Sequence, residues 1–452
     1  MSAAPMCSTS PHAVLYWRPR FAFSDLQLFS APVFSMKRLF IFSNKWLIGY
    51  LTFISAFAPL STDMYLPALP HMVTSLATDY AKASLSVSGF LLIFALSMLI
   101  WGPLSDKYGR RPVLLGGSLV YVFASVAIAL ASSIVPLLCW RALQALGSGA
   151  VSAMALAIVK DMLRGQALEQ VVAWMQTVMV LAPILAPVLG GWILLAVDWR
   201  GIFWMLVFCG LLSFLGALGF RETCLPAHRN RGSVFSALGR LFVVLGHPEF
   251  RWPLLLFSAM NMPFMAYLAV SSYVFQTLFG LSPQHYSLFF AGNAAMGMLG
   301  PLAHMRFFRH WQRRLTIAVH LGLSGFCGIL LCLFGGAGPV VFAALYAPTT
   351  FCGSALRPPG TVLMMESVQG DNGAVTSLIN AGGLLCGSLF MFLCALPFWS
   401  GLVYAAGSVT VLISGLSLLG WLAMLRLGIV RKRRQVGLPA SAAAAKHQES
   451  TR

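Results

Sequence analysis

An all-α polytopic membrane protein, with twelve transmembrane helices arranged as two six-helix bundles, is the fold class this sequence predicts. Composition is the first reason. Of 452 residues, 58% are hydrophobic and 9% charged, whereas soluble domains carry about 25% charge. Too little polar surface is left to solvate a body of this size. The second reason is continuity. Uncharged runs such as Leu85–Leu104 and Val113–Leu138 exceed the roughly 18 residues that mark a membrane-crossing helix, and they lack the alternation of barrel strands.

The third reason is where the charge lies. Net charge is +18, from 30 Lys and Arg against 12 Asp and Glu. The basic residues cluster between apolar runs, at Lys107/Arg110/Arg111, Arg229/Arg231/Arg240, Arg306/Arg309/Arg313/Arg314 and Arg431/Lys432/Arg433/Arg434. Alternate connections carry only Lys82 and Arg200. This positive-inside pattern places both termini in the cytoplasm of an inner-membrane protein, and it is not the patch or stripe of a nucleic-acid binder.

Taken in order, residues 1–35 hold Pro5, Pro11, Pro19 and Pro32 without the apolar stretch of a signal peptide. They predict a poorly ordered tail, and Met36-Lys37-Arg38 reads as a natural start. Twelve spans follow, near 46–68, 85–105, 113–132, 134–158, 171–193, 202–220, 252–275, 286–305, 315–334, 339–363, 374–395 and 400–425. The longest connection, 221–251, separates an N-terminal bundle (36–220) from a C-terminal one (252–427). Within it Val234, Leu238, Leu241, Phe242 and Leu245 recur at helical spacing beside Arg240, which predicts a short helix along the cytoplasmic interface. A basic cytoplasmic tail, 428–452, ends the chain. Gly102-Pro103-Leu104 at the end of span two is echoed by Gly300-Pro301-Leu302 at the end of span eight, consistent with an internal repeat.

Several chemistries are disfavoured. The nine cysteines are scattered without a CxxC pair, so neither a disulfide framework nor a metal site is indicated. No lysine follows a glycine, as a phosphate-binding loop requires, and GxSxG is absent. The chain reads as neither an ATP-driven pump nor an enzyme, and no cofactor is expected.

Acidic residues inside spans are the most informative, because a charge in hydrocarbon is costly and is usually kept for a task. Only Asp63 lies well inside one, which makes it the candidate for proton uptake and release. Thr52, Ser55, Pro59 and Asp63 are spaced 3, 4 and 4 apart, one helical face that should line an interior. Span four repeats the spacing with Arg141, Gln144, Ser148 and Ser152. Arg141 reads as the one basic residue deep in a span, near enough to Asp63 to pair or share water with it. Span five carries Pro183, Pro187, Gly190 and Gly191, prolines that bend a helix and glycines that allow close approach, as a gate requires. After span two, Gly109 permits a tight turn and Asp106 can pair with Arg110. In the second half, Asn261, Asn293 and Asn380 are amides in apolar surroundings. Met265, with Met260, Met262, Phe264 and Tyr267, offers adaptable contacts for a substrate cavity.

Gly102-Pro103-Leu104-Ser105-Asp106-x-x-Gly109-Arg110-Arg111 resembles the loop 2–3 signature of the major facilitator superfamily. Arg141-Ala142-Leu143-Gln144-Ala145 is similar to its span-four arginine motif, and Ala186-Pro187-Val188-Leu189-Gly190-Gly191 to its antiporter motif. Thr62-Asp63-Met64-Tyr65-Leu66-Pro67-Ala68-Leu69-Pro70 resembles the end of span one in Bcr/CflA-type drug:proton antiporters, including chloramphenicol and bicyclomycin exporters. The sequence departs from the family pattern at Ala145 and Ala186, where glycines are commoner, and at Ser55, where some relatives have a second carboxylate. The resemblance implies proton coupling or cation binding at Asp63, proton relay at Arg141 and gating at Asp106. It further implies proton-coupled efflux of small amphipathic drugs by alternating access. The alternative is export of one metabolite, such as a sugar, nucleoside or amino-acid derivative. The implied partners are a small-molecule substrate, protons and the lipid bilayer, with a monomer as the working unit.

Overall fold

The computed structural model describes residues 44–224, 234–368, 372–396 and 399–428. The tail expected over 1–35, the start at Met36, Arg229, Arg231 and everything beyond Gly428 lie outside them. The first span is two helices, α1 (Asn44–Ser55) and α2 (Phe57–Asp63), bent by 45° about their break. Pro59 is the cause: it has no N–H for the Ser55 carbonyl, and its ring crowds that oxygen. The stripe from Thr52 to Asp63 is therefore divided between two axes and is not one straight face. A 3-10 turn, Leu66–Ala68, and α3 (Leu69–Ser75) continue it.

Asp79 caps α4 (Tyr80–Tyr108) by accepting the Lys82 N–H at 2.8 Å. α4 runs through Gly102–Tyr108, so this part of the expected loop is helix. Gly109 alone separates it from α5 (Arg110–Ala129), at φ 104°, a backbone region that favours glycine. α6 (Ile134–Met162), α7 (Gly165–Ala196) and α8 (Trp199–Leu218) complete the first half, α7 being one 32-residue helix despite both prolines. A helix stands where the connection's spacing expects one, α9 (Val234–Leu245). In its described part, 239–245, Val244 is buried and Phe242 exposed.

Span seven breaks into α10 (Pro248–Ala259) and α11 (Met262–Tyr273), because Pro263 cannot donate to the Ala259 carbonyl. It ends in a π turn, Val274–Leu278. α12 (Pro283–Arg306) and α13 (Arg313–Phe334) follow. Span ten breaks into α14 (Pro339–Ala355) and α15 (Arg357–Ser367) before the pair Pro358-Pro359. α16 (Asn372–Cys394) and α17 (Leu402–Arg426) end the described chain.

Twelve spans were expected. Among the described residues ten helices or joined pairs are long and apolar enough to cross a membrane, and the bent first span makes eleven. The remaining position is held by α12, 24 residues long but short of apolarity. Its Gln284, Ser287 and Asn293 point away from lipid, and it packs on α7 and α14. Within the first half α5 packs on α6 and α8, and α4 on α6. Within the second, α13 packs on α14 and α17. The halves meet along α4–α16 and α7–α12. Large apolar side chains on the outer faces stay uncovered, as with Leu195 at 71% and Trp174 at 63% exposure, which suits a hydrocarbon surround.

Candidate functional site

Asp63 closes α2 and is buried. Its Oδ1 accepts the Thr62 hydroxyl at 2.8 Å, and no ion pair reaches it among the described residues. Arg141 is equally enclosed on α6 but does not pair with Asp63. Its Nη1 donates to the Ser61 carbonyl at 3.1 Å and to Gln144 Oε1 at 2.6 Å, and its Nε to the Ser86 carbonyl at 3.2 Å. The guanidinium lies 4.5 Å from the Tyr65 ring centroid and 4.2 Å from that of Phe90, and such aromatic faces attract a cation. Gln144 passes the network on, donating to Ser125 Oγ at 2.7 Å, while Tyr121 joins Ser61 at 2.7 Å. Gln144 is thus a fully enclosed link between helices and lines no opening. The network holds α2, α4, α5 and α6 together directly beside Asp63, through the carbonyl two residues before it. Thr52 is half-buried and Ser55 buried, its hydroxyl turned back to the Thr52 carbonyl.

Among the described residues, five hydrogen bonds join the halves at the Pro67 end. Ser272 donates to the Leu66 carbonyl and Gln276 to that of Pro67 (3.0 Å). Tyr80 donates to Ala269, Gln284 to Gly191 (2.8 Å) and Ser287 to Pro187 (2.8 Å), all carbonyls. The Leu66 carbonyl is open to Ser272 because Pro70 has no N–H to offer it. The glycines of α7 let this end close. A Cβ on Gly190 would stand 1.7 Å from the Met64 carbonyl oxygen, and one on Gly191 2.8 Å from Ser287 Oγ. Pro183 lies within the same helix, one turn before Pro187.

At the Gly109 end, Arg110 gathers Asp106 (2.6 Å), Asp161 (2.9 Å) and the Ser105 hydroxyl. Glu222 caps α5, accepting the N–H of Arg110 at 2.8 Å and of Arg111 at 3.1 Å. The last turn of α4, the first of α5, the end of α6 and the exit of α8 are thereby clamped together. Gly102 stands in open space on α4.

In the second half Met265 is buried against Gly387, and Asn293 is buried with both amide atoms unpartnered. Asn380 is exposed on α16. Asn261, half-buried in the span-seven break, accepts from Arg357 Nη2 at 2.7 Å. Arg141 is therefore not the only basic residue deep in a span, for Arg357 sits in the break of span ten. The structure brings Asn261 and Arg357 together and shows no hydrogen bond from Asn293 or Asn380 to either.

A family model described as Major Facilitator Superfamily matches residues 51–391. The chain belongs to the Major Facilitator Superfamily. Members are transporters and not enzymes, so this facilitator is a multi-pass membrane protein with a small-molecule substrate. It is 28% identical over 381 residues to a chloramphenicol resistance protein of Pseudomonas aeruginosa, covering 80% of this chain and 87% of that one. It is 32% identical over 190 residues to the multidrug resistance protein MdtL of Shigella flexneri, which covers 41% of this chain and 49% of that protein. Its fold is similar to the crystal structure of a bacterial homologue of the lysosomal transporter Spinster, with TM-score 0.67 at 14% identity, over 86% of this chain and 98% of that one.

Sequence reasoning missed five contributors to this facilitator's architecture. Asp161 and Glu222 look like ordinary loop acids until α6 and α8 bring them to Arg110. Tyr121 and Ser125 sit in a run that reads as lipid-facing. Arg357 had a visible signal, since a guanidinium before Pro358-Pro359 interrupts an otherwise uncharged span.

Proposed function

We propose that this facilitator exports small amphipathic compounds across the inner membrane in exchange for protons, in the manner of the Bcr/CflA-type antiporters its motifs resemble. Asp63 is the observation that carries the reading. It is a buried carboxyl with a hydroxyl partner and, among the described residues, no cation paired with it, so a proton can come and go there without breaking a salt bridge. Arg141 relays: its guanidinium braces the carbonyl two residues away, so a change at Asp63 is felt across α2, α4 and α6. The similarity to chloramphenicol and multidrug resistance proteins supports drugs as the cargo. Thr52, Ser55, Met265, Asn293 and Asn380 line the route.

The basic residues Lys107, Arg110, Arg111, Arg306, Arg313 and Arg314 gather at the Gly109 end, which supports a cytoplasmic location for that end and for both termini. The bonds at the Pro67 end then form an outer seal, and the clamp at Asp106, Gly109 and Arg110 governs the inner gate. Linker 221–251 joins bundles 36–220 and 252–427, which rock about Pro183, Pro187, Gly190 and Gly191.

The test is chloramphenicol uptake into everted vesicles under an imposed pH gradient. The parent accumulates drug against its gradient. Asp63→Asn retains exchange of labelled for unlabelled drug but loses uphill accumulation. Accumulation by Asp63→Asn equal to the parent's would remove Asp63 from coupling.

A further inference from the structure

Arg357 is not accounted for by proton coupling, by the seal or by the inner clamp. It stands ten residues from the Ser367 end of its span, which is about 15 Å of helix and half of a roughly 30 Å hydrocarbon core. At that depth a cation costs several kcal/mol and needs an answering group. Yet among the described residues no carboxylate pairs with Arg357, and its side chain is exposed. The contrast with Arg141 is instructive. Arg141 is enclosed, its Nε and Nη1 spent on two backbone carbonyls and Gln144 and its face on two rings. Arg357 is accessible, and its hydrogen bond goes to one neutral amide.

That amide is held in place. Asn261 occupies the break of span seven, where its Nδ2 reaches the Phe257 carbonyl at 3.5 Å. Gly383 of α16 leaves it room: a Cβ there would stand 2.8 Å from Nδ2. Asn261 Oδ1 is thereby turned to Arg357, fixing one edge of the guanidinium and leaving the remaining N–H groups unspent. The break in span seven is braced from within by buried rings. Tyr346 donates to the Pro263 carbonyl, two residues beyond Asn261, and packs with Tyr267 at 4.9 Å and Phe342 at 5.6 Å between ring centroids.

We propose that Arg357, positioned by Asn261, is an anion subsite that takes the carboxylate of an amphipathic monoanion as this facilitator's substrate. The proposal rests on the export reading above and narrows its substrate class. One unanswered positive charge calls for one negative charge. A planar fork of donors matches a carboxylate through two parallel hydrogen bonds.

The experiment compares two probes of one shape, 1-naphthoate and its neutral amide 1-naphthamide, by titration calorimetry on the purified full-length protein in detergent at neutral pH. The parent is expected to bind the carboxylate about tenfold tighter or more. Arg357→Gln is expected to bind both probes alike, with its affinity for the amide within about threefold of the parent's. Arg357→Lys keeps the charge without the fork and retains part of the preference, and this variant decides the matter should Arg357→Gln not fold. No preference in the parent, or an undiminished preference in either variant, overturns the proposal. The measurement needs no gradient. Carboxylate preference without pH-driven chloramphenicol export would therefore refute the export reading alone, and export without the preference would refute the subsite alone.

Discussion

Gly190→Ala turns the tightest approach between α7 and the first span into a measurable shift. The new Cβ would lie 1.7 Å from the Met64 carbonyl oxygen and 2.8 Å from its carbon. Relief requires about 1.5 Å of added separation. The obstacle is backbone, so no side-chain rotation can provide it. Overpacking of this kind costs about 1–3 kcal/mol, while the better helix propensity of alanine acts in the sealed and open arrangements alike and cancels from their ratio. The steric effect is felt wherever α7 must lie against Met64, and that is the arrangement sealed at the Pro67 end. A penalty of about 1–3 kcal/mol moves the sealed-to-open ratio by roughly 5–150-fold. Spin labels at Thr74→Cys and Thr277→Cys, both exposed at that end, report it in a background whose native cysteines are replaced. Electron–electron resonance should show a longer-distance population in Gly190→Ala. Gly116→Ala, with open space around its Cβ, should match the parent. Identical distance distributions for Gly190→Ala and the parent, with undiminished export, would refute the reasoning.

Three other outcomes are expected. Arg110 is nearly buried and Asp106 half exposed, so thermal unfolding in detergent should register a loss of about 1–3 kcal/mol for Arg110→Ala. Asp106→Asn should lose under about 1 kcal/mol, and the reverse order would contradict the clamp. Arg141→Lys keeps the charge but cannot reach three diverging acceptors between two rings. It should insert normally and export about tenfold less or worse, and near-parental turnover would make Arg141 mere scaffold. The Lys82 N–H, and then its ammonium, hold the Asp79 carboxyl below the usual carboxylate range. Because the folded value is lowered, this cap's contribution is complete above the ordinary carboxylate pKa, near 4, and fades as pH falls through the folded value. Asp79→Ala should cost about 1 kcal/mol at pH 7, and Asp79→Asn much less with a flatter pH dependence, both read from melting curves.

The helical, membrane-spanning character was plain in the sequence because hydropathy is a sum over many residues and tolerates local exceptions. Breaks were harder to place. Pro59, Pro263 and Pro358-Pro359 split their spans, whereas Pro103, Pro183, Pro187 and Pro301 remain inside continuous helices. A proline in a span is therefore not by itself a sign of a break. α12, expected near 286–305 and found over Pro283–Arg306, shows the limit of hydropathy alone. Its polar residues lower its apolarity because they face α7 and the interior, so a helix between helices reads as a weak span. In the interior, the identities of Asp63 and Arg141 were readable from rarity alone. Their separation was not, because Arg141 finds backbone carbonyls and aromatic faces that no spacing rule reveals. Glu222 and Asp161 became meaningful once distant helix ends converged on Arg110.

The bonds at the Pro67 end divide their requirements unequally. Four of the five acceptors are main-chain oxygens of the first half, at Leu66, Pro67, Pro187 and Gly191, which any residue type presents. Their donors are the side chains of Ser272, Gln276, Gln284 and Ser287 in the second half. Side-chain drift along one lip of this mouth leaves the latch chemically intact, while drift along the other erases it. The recognition information for shutting this end is therefore written almost wholly in one bundle, and a chimera would inherit the latch from whichever parent donates residues 272–287.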